Sequence, residues 1–300
     1  MKSLKTILSS VFAMLAVCFL FANVMMVQAE ERVDGKVYVA PYENVKGKLK
    51  DTTKLRVLTD EFKSIRIHHG AGDKIQKLKV NKKGLSAAVT TYSSDNITSR
   101  DYGYSYLEFY GTKPGKYKVS FSVVGVDGKT VAKKSITVQV VHSNATFKKI
   151  SFGSQVVQLN TVTFKNGTKK IVNKSNTKVK GSSGVLRVTP NSQYKVTGII
   201  VEYVDKNGKL VYKKIKNGGT VTLSKTYSRI EKSTTSYSRS SKKYTTLYIS
   251  YKDTFFGDTC KYSIVKNRGR KEVKRVYKNA QTGRTEVSYS QYSSVDLWQY

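Results

Sequence analysis

The sequence predicts an all-β chain: two tandem antiparallel β-sandwich domains with a C-terminal β-hairpin or tail, after an N-terminal signal peptide. Three observations predict it. Val, Ile, Thr, Tyr and Phe alternate with polar residues through much of the chain, the period at which a strand turns successive side chains to opposite faces. Gly, Asn and Asp punctuate those runs, and no stretch sustains the period of an amphipathic helix. Hydrophobic residues make up 39% of 300, enough to build cores despite a formal net charge of +34.

Residues 1–29 read as the signal peptide. Lys2 and Lys5 supply its basic start, Ile7 to Val27 its apolar run, and Val27-Gln28-Ala29 the small residues that precede cleavage. The run is also long enough to cross a bilayer at roughly 20 residues per crossing, so an uncleaved anchor is the alternative. Ser9, Ser10 and Asn23 interrupt it and favour cleavage. Leu15-Ala16-Val17-Cys18 has the outline of a lipid-attachment site. Val17 stands where a small residue is needed, and the apolar run continues past Cys18, so lipidation is not expected. Cleavage after Ala29 leaves Cys260 without a partner for an internal disulfide. A buried small hydrophobe is the expected role, with a reactive or intermolecular thiol as the alternative.

Domain one is expected over 30–142, with strands at Leu55–Leu58, Phe62–His68, Tyr104–Tyr110, Lys116–Val124 and Ser135–Val141. Alternation places Tyr117, Val119, Phe121 and Val123 on one buried face. Asp127-Gly128 supplies the tight turn into the next strand. Domain two is expected over 143–266, after the short linker His142-Ser143-Asn144. Its strands fall at Gln155–Leu159, Val185–Val188, Val196–Val204, Lys209–Ile215, Thr220–Leu223, Thr245–Tyr251 and Lys261–Val265. Asp205-Lys206-Asn207-Gly208 marks a hairpin turn inside it. Ser224 to Lys243, rich in Ser, Thr and Lys, reads as a long loop and a candidate contact surface. Residues 267–300 are basic and Tyr-rich. Lys271–Lys278 and Arg284–Tyr292 form their hairpin.

Lys113-Pro114-Gly115-Lys116-Tyr117-Lys118-Val119-Ser120-Phe121, followed by Asp127-Gly128-Lys129, resembles the late strands of bacterial immunoglobulin-like modules. In those modules a Pro-Gly-x-Tyr corner leads into a late strand, a turn and the final strand. The tandem β-sandwich surface proteins of Gram-positive bacteria are similar in their Lys-, Thr- and Tyr-rich strands. The resemblance is good over Tyr104–Val141 and looser over Val196–Val265. It implies an immunoglobulin-like sandwich in each domain and a spacer or binding role, with no active site. The ending Asp296-Leu297-Trp298-Gln299-Tyr300 has neither a hydrophobic tail nor a basic terminus, so covalent wall attachment is not expected.

Catalytic patterns are weak. His68 and His69 are adjacent, so a strand points them to opposite faces, and His142 falls in the linker. No metal site is expected from them. No serine sits in a Gly-x-Ser-x-Gly elbow, Cys260 lacks a family signature, and no Gly-rich phosphate loop is present. Glu108 and Glu202 are the carboxylates a glycosidase reading would use, but both lie in predicted strands among lysines. The expectation is a non-enzyme with no cofactor and no catalytic residues.

Charge is the strong signal, and it is uneven. Residues 30–142 carry 21 basic and 12 acidic side chains, residues 143–300 carry 31 and 8. Lys266, Arg268, Arg270, Lys271, Lys274, Arg275 and Lys278 face only Glu272 in the sequence. Seven like charges so close repel unless a partner offsets them, which makes this segment the candidate polyanion site. Tyr289, Tyr292, Trp298 and Tyr300 are candidate aromatic contacts beside it. Expected partners are an anionic cell-wall polymer or glycan of the teichoic acid type and, as a further option, a surface protein. No specific nucleic acid and no transmembrane segment after signal cleavage are expected. The expected location is secreted, retained at the outer face of a Gram-positive envelope. The competing reading is an extracellular protein–protein interaction or adhesion module whose charge only solvates it.

Overall fold

The computed structural model describes residues 36–90, 103–165, 168–175, 179, 183–204, 207, 209–222, 229–232 and 244–290. The segment 1–29 expected to be a signal peptide, most of the expected turn at 205–208 and loop at 224–243, and Tyr292, Trp298 and Tyr300 lie outside them. All regular structure in the described residues is β-strand. Among them no helix is long and apolar enough to cross a membrane.

The chain divides into two compact units, 1–141 and 142–300. Unit one runs through β1 (Tyr38–Val39), β2 (Tyr42–Glu43), β3 (Leu49–Lys50), β4 (Lys54–Leu58) and β5 (Phe62–His69). It continues with β6 (Lys74–Val80), β7 (Leu85–Thr90), β8 (Gly103–Gly111), β9 (Gly115–Val124) and β10 (Thr130–Val141). Two sheets, β1-β5-β8-β7 and β4-β10-β9-β6, form a sandwich. Ile67, Leu107 and Phe109 from the first meet Val119, Phe121, Val123 and Val138 from the second in one core. Tyr117, Val119, Phe121 and Val123 are all buried on that face, as their alternation requires.

The Pro-Gly-x-Tyr segment forms a closed corner: the Tyr117 hydroxyl donates to the Lys113 carbonyl oxygen at 2.7 Å. Gly84 backs it at φ +111°, where a Cβ would stand 2.4 Å from that hydroxyl, so only glycine fits. β9 and β10 join through Asp127-Gly128, with Gly128 at φ +76° and the Lys129 amide donating to Asp127 Oδ1. β10 is also flanked in parallel by β4, pairing Val138 with Leu55, while the remaining ladders of this sandwich are antiparallel.

Unit two begins with β11 (Phe147–Phe152), β12 (Gln155–Lys165), β13 (Thr168–Ser175), β14 (Ser183–Pro190), β15 (Tyr194–Val204) and β16 (Leu210–Ile215). It ends with β17 (Thr220–Thr222), β18 (Arg229–Lys232), β19 (Tyr244–Asp253), β20 (Thr259–Asn267), β21 (Arg270–Lys278) and β22 (Thr285–Tyr289). One sheet is ordered β13-β12-β11-β14-β17, the other β16-β15-β19-β20-β21-β22, with β18 parallel to β19. Phe147, Ile150, Phe152 and Leu186 pack against Ile199, Val201, Leu247 and Ile249 between them. Ile200 and Tyr248 are also buried, with Val273, in a second cluster. Neighbours Ile199 and Ile200 point to opposite faces, so the second sheet is covered on both sides there.

Candidate functional site

The basic segment folds as the outer half of the second sheet. β20 and β21 pair antiparallel from Thr259↔Lys278 to Asn267↔Arg270, and β22 continues from Lys278↔Thr285 to Lys274↔Tyr289. Arg268 at φ +46° and Gly269 at φ +79° close the β20–β21 turn. Positive φ at both central residues is the geometry whose twist matches that of the flanking strands.

Directly paired residues share a face, and so do alternate residues along a strand. That rule divides the seven predicted cations. Arg270, Lys274 and Lys278 lie on one face of β21, together with Lys261 of β20, whose partner is Val276. Lys266 and Lys271 form a cross-strand pair on the opposite face, in line with the Tyr262↔Arg275 pair. Arg268 stands in the turn. One run of cations in sequence is therefore two surfaces in space. Lys261, Lys266, Arg268, Arg270, Lys271 and Lys278 are exposed, whereas Lys274 and Arg275 are half-buried. Lys261 shares that face although it lies five residues before the predicted cluster; period-two register is the signal that finds it.

Arg275 acts inside the fold. Its guanidinium is 3.7 Å from Glu286 Oε2 and 5.5 Å from the Tyr277 ring centroid. Burial works against its charge, but the neighbouring Cys260, Tyr262 and Glu286 outweigh that and hold its pKa above the usual value. Burial also pushes the Tyr251 phenol up to about 12, with Cys260 adding to the shift. Tyr262 rises for the same two reasons, and Tyr277 through burial and Asp258, whose carboxylate accepts its hydroxyl at 3.0 Å. Cys260 is buried at 2% exposure among these groups. Tyr289, the described member of the predicted aromatic set, lies with its ring centroid 6.0 Å from Lys274 Nζ.

Four described carboxylates of this unit are hydrogen-bonded within the fold or buried, whereas the Glu286 side chain is 44% exposed beside Arg275. Asp253 accepts the amides of Phe255 and Phe256 at 2.8 and 3.0 Å. Asp258 accepts the Ala280 amide as well as Tyr277. Glu202 Oε2 accepts the Tyr248 hydroxyl, and burial raises its pKa while that bond lowers it in part. Glu272, on the Arg270–Lys274 face, is 1% exposed, and neither of its oxygens has a hydrogen-bond partner.

Glu108 and Glu202 fall in different units. His69 bridges the Gly70 carbonyl oxygen at 2.8 Å and Ser105 Oγ at 2.9 Å. A carbonyl can only accept, so Nδ1 donates to it. Among the described residues no three His, Cys, Asp or Glu side chains are grouped to hold a metal.

No protein-family model and no curated protein matches the chain. Among solved structures it is similar to amebosin, at 20% identity over 29% of this chain and 85% of that one, with a TM-score of 0.22. It is also similar to the S-layer protein rSbsC(31-844), at 12% identity and a TM-score of 0.24, over 61% of this chain and 25% of that one. A third similarity is to the fibronectin(III)-like modules of Clostridium thermocellum CbhA, at 11% identity and a TM-score of 0.22, covering 83% and 95%.

Proposed function

We propose that the protein is a non-catalytic, secreted binding protein held at the outer face of a Gram-positive cell envelope by an anionic wall polymer of the teichoic acid type. The observation that carries this reading is the row Arg270, Lys274 and Lys278 on one strand face, with Lys261 beside it. Residues four apart on a strand are separated by roughly 13 Å, so the row meets an extended polyanion at repeated points along its length. Arg grips phosphate through paired donors and Lys acts as a flexible point charge. Glu272 lies on that face between Arg270 and Lys274 but is 1% exposed, so what the row presents to solvent is its cations.

The test is binding to purified teichoic-acid-bearing walls across ~0.05–0.5 M salt, over which screening shortens from roughly 13 to 4 Å. Replacing Arg270, Lys274 and Lys278 together by Gln should weaken binding at least about tenfold and flatten its salt dependence. Replacing Lys266 and Lys271 should do much less. Binding that ignores salt, or that falls equally in both variants, overturns the reading and favours a protein–protein adhesion module.

A further inference from the structure

Unit one carries a second surface, of different chemistry. β8 buries Ser105, Leu107 and Phe109 on its inner face, so Tyr104, Tyr106, Glu108 and Tyr110 share the outer one. On β5 the outward partners are Phe62 opposite Tyr110, Ser64 opposite Glu108 and Arg66 opposite Tyr106. On β7 they are Ser86, Ala88 and Thr90, opposite Tyr110, Glu108 and Tyr106. Small side chains on that flank leave the β8 rings standing above it.

The rings form two groups. Phe62 and Tyr110 stack with centroids 4.7 Å apart, and Phe62 is 76% exposed. Tyr104 and Tyr106 meet edge to face at 5.7 Å, with the Arg66 guanidinium 4.8 and 5.7 Å from their centroids and bonded to the Tyr106 hydroxyl. Tyr106 and Tyr110 are four residues apart, roughly 13 Å along the strand. An oligosaccharide spans that distance and a single sugar does not. Glu108 lies between the two groups and Arg66 beside one of them, while Asp60 accepts from the Tyr110 hydroxyl at 3.5 Å.

Charge selects the occupant. In a chain of net charge +34, this face balances one guanidinium against the carboxylates of Glu108 and Asp60. Among the described residues it has no cation row to grip a polyanion. Aromatic rings present a negative π-face to the partly positive C–H bonds of a pyranose, and the carboxylate and guanidinium between them suit hydroxyl groups. We propose that this face is a docking platform for an uncharged, extended polysaccharide, lying along β8 and stacking on both ring groups. The proposal is independent of the polyanion site on unit two.

The experiment is sedimentation of the full chain with microcrystalline cellulose and with chitin in ~1 M NaCl, where the screening length is about 3 Å and charge attraction is suppressed. The expected result is retention on at least one polymer. Tyr106→Ala and Tyr110→Ala should each weaken it about tenfold, and the Arg270, Lys274, Lys278 variant should leave it unchanged. Phe62→Ala, at the most exposed ring, should weaken it with no change in circular dichroism, which separates lost stacking from lost fold. Failure to bind either polymer overturns the proposal, as does retention that all three ring variants leave intact. Concentration-dependent self-association abolished by Phe62→Ala overturns it too, by giving the face to a second copy of the chain.

Discussion

The two units share a sandwich plan but place their acids differently. In unit one Asp51 takes Lys134 at 2.7 Å, and Asp127 stands 3.7 Å from Lys129 at an exposed turn. In unit two Asp253, Asp258 and Glu202 bond to backbone amides or to tyrosine hydroxyls, Glu272 is buried, and Glu286 stands 3.7 Å from Arg275. The contrast teaches that a basic surface depends on where the few carboxylates go as well as on how many lysines there are.

Asp253→Ala against Asp127→Ala breaks or sharpens this contrast with the largest expected effect. Asp253 is 3% exposed and serves two amides. Its loss leaves both donors without their acceptor in a dry site and should cost about 2–3 kcal/mol of unfolding free energy. Asp127 holds one exposed turn amide and a solvated lysine, so its loss should cost about 0.5–1 kcal/mol. Chemical denaturation of the two variants measures both. Equal costs would mean that the inward acids of unit two are no more structural than the outward ones of unit one.

Next in size is Tyr117→Phe in unit one. The hydroxyl it removes bonds a backbone carbonyl, so the cost should be about 1 kcal/mol and independent of pH across the acid range. A cost that changes with pH there would show that some titrating group, rather than the Lys113 carbonyl, is the partner that matters.

Much of this was readable before the structure. Strong two-faced alternation gave β9 and β10, because core-facing Tyr117, Val119, Phe121 and Val123 are separated by polar residues. No strand is legible in the sequence at β13, because it exposes most of its side chains, nor at β6, because its half-buried residues Ile75, Leu78 and Val80 do not keep a spacing of two. β6 is further disguised by Lys77 at φ +52°, which shifts its register. In sequence the basic segment reads as a single patch, because its residues are neighbours along the chain; the β20–β21 register divides it between two faces. The burial of Glu272 left no local mark, since the residue sits between Lys271 and Val273 in a segment that reads as solvated. The ring platform was half visible. The strand Tyr104–Tyr110 could be predicted, but which of its faces met solvent depended on the partner sheet.

The smallest effect makes the sharpest comparison, since it sets one tyrosine hydroxyl against another. Tyr248 donates to Glu202 in unit two, where Tyr117 donates to a carbonyl in unit one. Burial raises the Glu202 pKa above its ordinary 4.5, and the Tyr248 bond pulls it part of the way back. The folded state therefore holds this proton more tightly than the unfolded chain does. The contribution of Glu202 to stability is greatest below 4.5 and falls as pH rises from there through the raised folded value, the reverse of an ion-paired acid. Tyr248→Phe removes the donor that favours the charged form. Its cost should be larger above that window than below it, by about 1 kcal/mol, because a bond to a carboxylate is worth more than one to a neutral acid. Glu202→Gln should abolish the slope. Denaturation midpoints at ~pH 4 and ~pH 7 read the difference, and a Tyr248→Phe cost as flat as that of Tyr117→Phe would mean that the Glu202 charge is not what this hydroxyl holds.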